Sequence, residues 1–143
     1  MTDENCLFCR IVSGEVPAVV VYEDANTFAF LDHRPLFPGH TLLVPREHYE
    51  TLADLPAAQV GPFFKNAQLL SRAVEAAMEA EGSFVAMNNR VSQSVPHLHV
   101  HIVPRRRKDG LKGFFWPRTK YKSDEELEIT REKISSKIKQ LKN

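Results

Sequence analysis

The chain is poor in the features that mark secreted, membrane-bound or nucleic-acid-binding proteins. Only two of its 143 residues are cysteine, too few for a disulfide framework, so in a reducing compartment we expect thiols or metal ligands. No long apolar run follows the acidic start at residues 1–4, and we therefore expect no signal peptide, no membrane span and a cytoplasmic location. The formal net charge of +1 predicts no general attraction to nucleic acid or membranes.

What is present is the composition of one ordinary folded domain. Apolar residues make up 43% of the chain and charged residues 26%, and a chain of this length can bury one substantial core. The charge is uneven, because residues 105–122 hold eight Lys or Arg and only one acid, Asp109. This basic stretch is either a solvated loop or a surface that attracts phosphate-rich ligands.

Apolar spacing predicts a mixed α+β fold with an antiparallel sheet. We expect strands at 18–23, 27–31, 41–44 and 84–87 and helices at 5–13 and 56–81. Pro62 lies inside the longer helix and should kink it or mark its true start. Ser123 and Glu126 resemble a capping box that opens a tail helix, whose narrow apolar stripe has coiled-coil-like spacing.

Residues 96–103 carry the most unusual pattern, three histidines that alternate with apolar residues. A strand with this period of two places His97, His99 and His101 on one face and turns the apolar residues towards a core. A neutral imidazole is a competent nucleophile towards phosphorus, and His99 has a histidine on each side to orient it. The alternative is a solvated histidine-rich strand or an adventitious metal binder.

Two further groups of residues extend this pattern. The loop before the histidines supplies side chains that could hold phosphate oxygens or protonate a leaving group: Asn88, Ser92, Gln93 and Ser94. An ordinary polar turn is the alternative for these residues. Two thiolates and two imidazoles suited to tetrahedral zinc come from Cys6, Cys9, His48 and His97. For the cysteines the alternative is a pair of buried free thiols.

The run His-Leu-His-Val-His-Ile-Val at 97–103 resembles the signature of the histidine-triad, or HIT, superfamily of nucleotide hydrolases and transferases. The resemblance continues, in order and spacing, through residues 6–17, 21–24, 28–32, 38–48, 93–95 and 104–105. It implies a HIT-like fold: about five antiparallel strands, with a long helix and a short N-terminal helix packed on them, in a homodimer. Residues 1–105 would form this core. Residues 106–143 lie outside the resemblance, and we expect them to form a basic and aromatic loop and a C-terminal helix packed on the same domain, or alternatively on a twin subunit.

The resemblance also implies a two-step reaction on a purine nucleotide. His99 would attack the α-phosphorus of a nucleoside phosphoramidate, forming a nucleotidyl-histidine that water hydrolyses. His101 and Ser94 would contact phosphate or leaving group, Asn88 and Gln93 would hold phosphate oxygens, and His97 would orient His99 indirectly. Alternatives are a dinucleoside polyphosphate hydrolase, which the basic run at residues 105–108 slightly favours, and a catalytically weak nucleotide-binding or scaffold protein.

By the same resemblance, the nucleoside would bind at Phe8, Ile11, Phe30, Asp32, His33 and Leu42, with Asp32 on the ribose hydroxyls. Relatives with a similar Cys-x-x-Cys bind zinc with residues at the four positions named above, where the metal would be structural. One departure concerns the phosphate loop, because relatives often carry glycine before the glutamine whereas residues 88–93 contain none. Asn88 and Asn89 therefore remain alternatives for one phosphate contact. His40 would face the active site or the surface.

Overall fold

The computed structural model describes residues 3–111 and 118–142, which form parts of two compact units, Met1–Asp109 and Gly110–Asn143. The first unit contains seven principal elements: α1 Leu7–Val12, β1 Val20–Glu23, β2 Thr27–Leu31, β3 Thr41–Pro45, α2 Ala57–Ala77, β4 Gly82–Ala86 and β5 Val100–Arg105. A 3-10 turn at Leu52–Asp54 precedes α2, and the second unit contains α3 Asp124–Lys142. Within the described ranges, no helix has the length and apolar character needed to cross a bilayer.

The five strands form one antiparallel sheet in the order β1-β2-β3-β5-β4. Strand β3 lies at its centre between β2 and β5, and all five of its residues are buried. The predicted α+β class, the five-stranded antiparallel sheet and the two helices of the core are confirmed.

Each face of the sheet is covered by a different helix. On one face, α2 packs on apolar side chains that include Leu98, Val100 and Ile102. On the other face, α1 packs on Phe28, Phe30, Leu42 and Val44. Because successive side chains of an extended chain alternate between faces, the histidines between Leu98 and Ile102 lie on the face that α1 covers.

The histidine segment differs from its prediction in where the strand begins. Strand β5 starts at Val100, so His97 and His99 precede it, and it continues past the predicted end to Arg105. Pairing with β3 reaches only as far as Leu43 opposite Val100. Upstream of that pair, the Leu98 N–H donates to the Tyr49 carbonyl instead. The alternation of faces survives because the segment stays extended.

Helix α2 ends at Ala77, four residues before its predicted end at 81. Glu79 takes a positive φ of 51°, and the Ala80 N–H donates to the Glu75 carbonyl, which is the Schellman arrangement usually built with glycine. The prediction was wrong because it sought this stop at Gly82, the first residue of β4. Pro62 lies in the second turn of α2 and does not mark its start.

The other boundaries shift by a few residues. Helix α1 begins at Leu7, with the Cys6 sulfur accepting a hydrogen bond from the Cys9 N–H, and β1 begins at Val20. Strand β4 covers Gly82–Ala86 instead of 84–87.

In the second unit, the Ser123 hydroxyl accepts from the Glu126 N–H at 3.1 Å, as predicted for the start of α3. The Glu126 carboxylate accepts from the Lys122 N–H rather than from Ser123. The apolar stripe of α3 is exposed, and its packing on the core stays a prediction. The aromatic residues 114–116 lie outside the described residues.

Candidate active site and metal cluster

A cleft of about 600 Å³ opens on the face of the sheet that α1 covers. Its wall contains nine residues that the sequence predicted for the site: Phe8, Ile11, Phe30, Asp32, His33, Leu42, Ser94, His99 and His101. They come from α1, β2 and the two residues that follow it, β3, the loop before the histidines, and the histidine segment. The structure therefore joins the predicted nucleoside residues and two of the three histidines around one space.

Part of the wall is apolar and was missed by the sequence reasoning. The segment between α1 and β1 contributes Val16, Pro17, Ala18 and Val19. Val19 is 65% exposed although it is apolar. These residue types carry no chemical signature, so only the tertiary structure reveals that they border a cleft. Their apolar surface suits a flat organic ring better than a charged group.

His99 is buried at the floor of this cleft, and its hydrogen bond determines its chemistry. Its Nδ1–H donates to the His97 carbonyl at 2.7 Å. Because a carbonyl oxygen can only accept, Nδ1 carries the proton and Nε2 has a free lone pair. The Phe8 ring packs edge-on against the imidazole, with centroids 5.0 Å apart. Burial lowers the pKa of His99, which favours the neutral, nucleophilic form.

In His101 the proton is on the other ring nitrogen, Nε2, because a series of hydrogen-bond donors ends at its Nδ1. The Leu36 N–H donates to His40 Nδ1 at 3.1 Å, so the proton of the His40 ring is on Nε2. That Nε2–H donates to His101 Nδ1 at 3.0 Å, leaving the proton of His101 on its own Nε2. Burial, and then the neighbouring His99 and His40, lower the pKa of His101 to about 4. His101 is therefore a neutral hydrogen-bond donor.

His40 is only 3% exposed, which resolves the alternatives left open for it in favour of the site. Its Nε2 also lies 3.8 Å from a carboxylate oxygen of Asp32. The ligand atoms of Asp32, His40 and His101 lie within 4.8 Å of one another. Since His40 Nδ1 already accepts from Leu36 and its Nε2–H donates to His101, His40 has no free lone pair for a metal. The three residues are therefore a hydrogen-bonded histidine pair beside a carboxylate rather than a metal site.

A second cluster contains the four residues that the sequence predicted as metal ligands. The donor atoms of Cys6, Cys9, His48 and His97 all lie within 4.8 Å of one another. His97 Nδ1 is 3.4 Å from the Cys6 sulfur and 3.6 Å from the Cys9 sulfur, and His48 Nδ1 is 3.5 Å from the Cys9 sulfur. This cluster could bind a metal.

Hydrogen bonding in the cluster leaves a histidine nitrogen with a lone pair free to bind a metal. His97 Nε2–H donates to the Pro45 carbonyl at 2.8 Å, so Nδ1 presents its lone pair to the two sulfurs. Burial raises the pKa of Cys6, and a bound cation would offset the cost of forming its thiolate. His97 therefore lies with the cysteines, while its carbonyl holds His99.

The structure does not bring Asn88 and Gln93 to the cleft wall. Asn88 Nδ2 donates to the Ser92 carbonyl at 3.1 Å, within the loop itself. Gln93 Nε2 donates to the Glu50 carbonyl at 2.7 Å. Of the polar loop before the histidines, Ser94 borders the cleft. The phosphate contacts of Asn88 and Gln93 stay predictions.

The arginines that open the basic stretch form ion pairs and hydrogen bonds with residues outside the cleft. Arg105 forms an ion pair with Asp109 and Arg107 forms one with Glu81. The Arg106 guanidinium donates to the Met78 and Glu79 carbonyls, which are left without helical partners at the end of α2. These contacts give the three arginines structural partners, and the slight preference for polyphosphate ligands stays a prediction.

Comparison with known proteins agrees with this geometry. The profile of the HIT domain matches residues 13–108. The adenosine 5'-monophosphoramidase hnt1 of Schizosaccharomyces pombe is 38% identical over 140 residues, covering 94% of this chain and 99% of that protein. The crystal structure of SMU.412c from Streptococcus mutans has a TM-score of 0.85 at 34% identity, over 96% of this chain and 87% of that one.

A zinc-bound histidine triad family protein from Mycobacterium smegmatis has a TM-score of 0.71 at 38% identity, over 85% of this chain and 87% of that one. The matched profile covers more than half of the chain, and the fold agrees over nearly its whole length. The chain belongs to the histidine-triad, or HIT, domain family.

Proposed function

We propose that this protein hydrolyses purine nucleoside phosphoramidates by transferring the nucleotidyl group to His99. One observation carries the proposal: His99, whose Nε2 has a free lone pair, and His101, whose Nε2 carries a proton, border the same apolar cleft. A nucleophile beside a hydrogen-bond donor is what displacement at phosphorus requires. The similarity to a fission yeast phosphoramidase supports this substrate class.

The cleft determines how the nucleotide would lie. The apolar wall between α1 and β1 would cover the base. The Asp32 carboxylate, whose Oδ1 already accepts from the Arg34 N–H at 2.9 Å, would accept from the ribose hydroxyls through Oδ2. These two contacts direct the α-phosphate towards His99, with the Ser94 hydroxyl and His101 on either side of it.

The reaction then proceeds in two displacements. In the first, His99 Nε2 bonds to the α-phosphorus, the P–N bond breaks, and the leaving nitrogen keeps the electron pair and gains a proton. In the second, a water oxygen bonds to phosphorus, the P–Nε2 bond breaks, and its electron pair returns to His99 as water loses a proton. The proton taken up in the first step is released in the second, so the reaction needs no net proton. His101 Nε2–H would donate to the leaving nitrogen, and His40, through its hydrogen bond to His101 Nδ1, would keep that proton on Nε2.

We also propose that Cys6, Cys9, His48 and His97 bind one zinc ion. Two sulfurs and two imidazole nitrogens complete a tetrahedral set with no open position, which is typical of structural zinc. Bound zinc would join α1 to the segment that holds His99. The relative from M. smegmatis, described as zinc-bound, supports the choice of metal.

The decisive experiment compares wild type with His99→Ala on adenosine phosphoramidates, diadenosine polyphosphates and nucleotide sugars. We expect wild type to prefer the phosphoramidates and the variant to lose at least about a thousand-fold in kcat, because the nucleophile is gone. AMP affinity, measured by titration calorimetry, should change little. Acid quenching of wild type should trap a nucleotidyl-protein adduct that the variant lacks.

His33→Ala is the matched control, since it removes an exposed imidazole from the rim of the same cleft. Because His33 is one of the predicted nucleoside residues, this variant should raise KM but keep the adduct and most of kcat. A His99→Ala variant with nearly normal turnover would overturn the mechanism. Wild-type activity on diadenosine polyphosphates alone would replace the proposed substrate class while keeping the role of His99.

A further inference from the structure

The loop at residues 88–94 holds an unfavourable backbone conformation without a glycine. Arg90 has a φ of 70° and Ser92 a φ of 61°, and both values lie in the left-handed region that glycine adopts without strain. Each such residue costs about 1 kcal/mol relative to glycine. A loop with two of them needs other contacts to keep its shape.

Two side-chain amides supply contacts between this loop and the segment that precedes α2. Gln93 Nε2 donates to the Glu50 carbonyl at 2.7 Å, and Asn89 Oδ1 accepts from the Leu52 N–H at 2.8 Å. Gln93 Oε1 also accepts from the Arg90 N–H at 2.8 Å, directly at a strained residue. We call the Asn89 and Gln93 contacts with Glu50, Leu52 and Arg90 the loop latch.

The segment on the other side of the latch is itself well held. The Thr51 side chain is buried, and its N–H and hydroxyl both donate to the Asp54 carboxylate, at 3.0 and 2.8 Å. The neighbouring Tyr49 carbonyl accepts from the Leu98 N–H at 2.7 Å. The latch therefore fastens the loop to a segment that is also hydrogen-bonded to the histidine segment.

We infer that Asn89 and Gln93 are positioning residues, which place Ser94 beside His99 and His101 by holding the loop in its strained shape. Ser94 follows Gln93 directly and borders the cleft, whereas Asn89 and Gln93 do not. Both ends of the Gln93 amide are already hydrogen-bonded to backbone groups. This role differs from the direct phosphate contact that the family resemblance implies for Gln93, and it rests on the function proposed above.

The first test uses Asn89, because its side chain lies outside the cleft. Asn89→Ala removes the acceptor for the Leu52 N–H, and we expect kcat to fall about tenfold while KM changes less than about twofold, as for loss of an interaction made in the transition state. Asn89→Asp keeps an acceptor and should restore most of kcat. Equal activity of Asn89→Ala and wild type would overturn the inference, as would a loss in kcat that Asn89→Asp does not restore.

The second test separates holding the loop from touching the phosphate. Gln93→Ala should lower kcat, and adding Ser92→Gly should restore part of the loss, because glycine keeps the native φ without strain. If Gln93 contacts phosphate directly, the added glycine cannot replace that contact, and kcat of the double variant will stay as low as that of Gln93→Ala. That result would overturn the positioning role of Gln93.

Hydrogen exchange provides a readout that does not depend on activity. The amides of Arg90 and Leu52 donate within the latch, so exchange at Leu52 should accelerate in Asn89→Ala and exchange at Arg90 in Gln93→Ala, at unchanged melting temperature. Unchanged exchange would show that no latch exists. If wild type turns over none of the substrates, the proposed function fails, whereas exchange still decides whether the latch forms.

Discussion

Four histidines of the site have their ring protons assigned by neighbouring groups. Backbone carbonyls accept from His97 Nε2 and His99 Nδ1, and a backbone N–H donates to His40 Nδ1, whose Nε2 in turn donates to His101. The same side chain is therefore a candidate metal ligand at 97, the proposed nucleophile at 99 and a hydrogen-bond donor at 101. A sequence pattern predicts that three imidazoles share a face, but not which nitrogen of each is free.

His40 gives the first prediction at this scale. His40→Ala should lower kcat about tenfold or more, because His101 Nδ1 loses its donor and the ring loses its defined proton position. His40→Gln retains a side-chain N–H and should recover part of the rate, with AMP affinity unchanged in both variants. Steady-state kinetics and calorimetry measure these effects, and a His40→Ala enzyme at the wild-type rate would contradict this role of His40.

The metal cluster gives the second prediction at the residue scale. Elemental analysis of the purified protein should find about one zinc per chain, as expected for a closed four-ligand site. Cys6→Ser should lose the metal and lower the melting temperature, because α1 is no longer joined to the histidine segment. Ser13→Ala, at the other end of α1, serves as the control and should retain zinc. If the wild-type protein is as stable without metal as with added zinc, the zinc site is rejected.

At the scale of elements, side-chain hydrogen bonds secure the connections that apolar patterning does not determine. Arg106 reaches the last carbonyls of α2, and Asp24 organises the turn between β1 and β2. The Asp24 carboxylate accepts from the backbone N–H groups of Asn26 and Thr27 at 2.9 and 2.8 Å. Asn66 of α2 donates to the same carboxylate at 2.7 Å, which ties the turn to the helix.

Asp24 makes stability depend on pH in a definite direction. Burial raises the pKa of its carboxyl, but the hydrogen bonds from Asn26, Asn66 and Thr27 outweigh burial and lower it to about 2. A carboxyl whose pKa is lower in the folded protein stabilises the fold above its unfolded pKa, about 4, and loses this effect between about pH 4 and pH 2. We estimate about 1 kcal/mol, since water partly screens the group.

Asn66→Ala should therefore lower the free energy of unfolding by about 1 kcal/mol at pH 7 and by less at pH 2, where about half of the Asp24 carboxyl groups are protonated. Urea denaturation at the two pH values measures the difference. The exposed neighbour Gln68 on α2 offers a control, and Gln68→Ala should have little effect at either pH. An equal loss in Asn66→Ala at pH 7 and pH 2 would contradict the role of the charged carboxylate.

At the scale of the whole molecule, the sheet has two edges, β1 and β4. The register of β1 on β2 is interrupted between Val20 and Tyr22, whereas β4 pairs with β5 without interruption. A regular edge is the better template for another strand. If the predicted homodimer extends the sheet, we therefore expect the two copies to meet at β4. The cytoplasmic location and the absence of nucleic-acid partners stay predictions.

Light scattering should give a mass near twice the 16.3 kDa of one chain. Val85→Lys places a charge on β4, where the valine is exposed, and should shift the protein towards the monomer. Val20→Lys makes the same change on the opposite edge and should leave the dimer intact. A dimer that survives Val85→Lys but not Val20→Lys would assign the interface to β1, and a wild-type monomer would contradict the dimer itself.

Local patterns were enough for the parts of the fold that depend on neighbours in sequence. Period-two alternation at 97–102 correctly separated the histidines from Leu98, Val100 and Ile102, because an extended chain turns successive side chains to opposite faces. The family resemblance also named the four residues of the metal cluster and six residues that line the cleft. Their binding of metal and nucleoside stays a prediction. Element boundaries were less accurate where hydrogen bonds from distant residues decided them, as at Leu98 and Tyr49.

What the sequence determined by itself is the family, the five-stranded core and the face that bears the chemistry. Only the tertiary structure decided which nitrogen of each histidine is free and that His40 donates a hydrogen bond to His101. It also decided that Gln93 holds a loop instead of lining the cleft. These features depend on single hydrogen bonds between groups far apart in the chain, such as Gln93 with Glu50 and His97 with Pro45. A hydrogen bond is formed only at the right distance and angle, and that geometry exists only once the elements have packed.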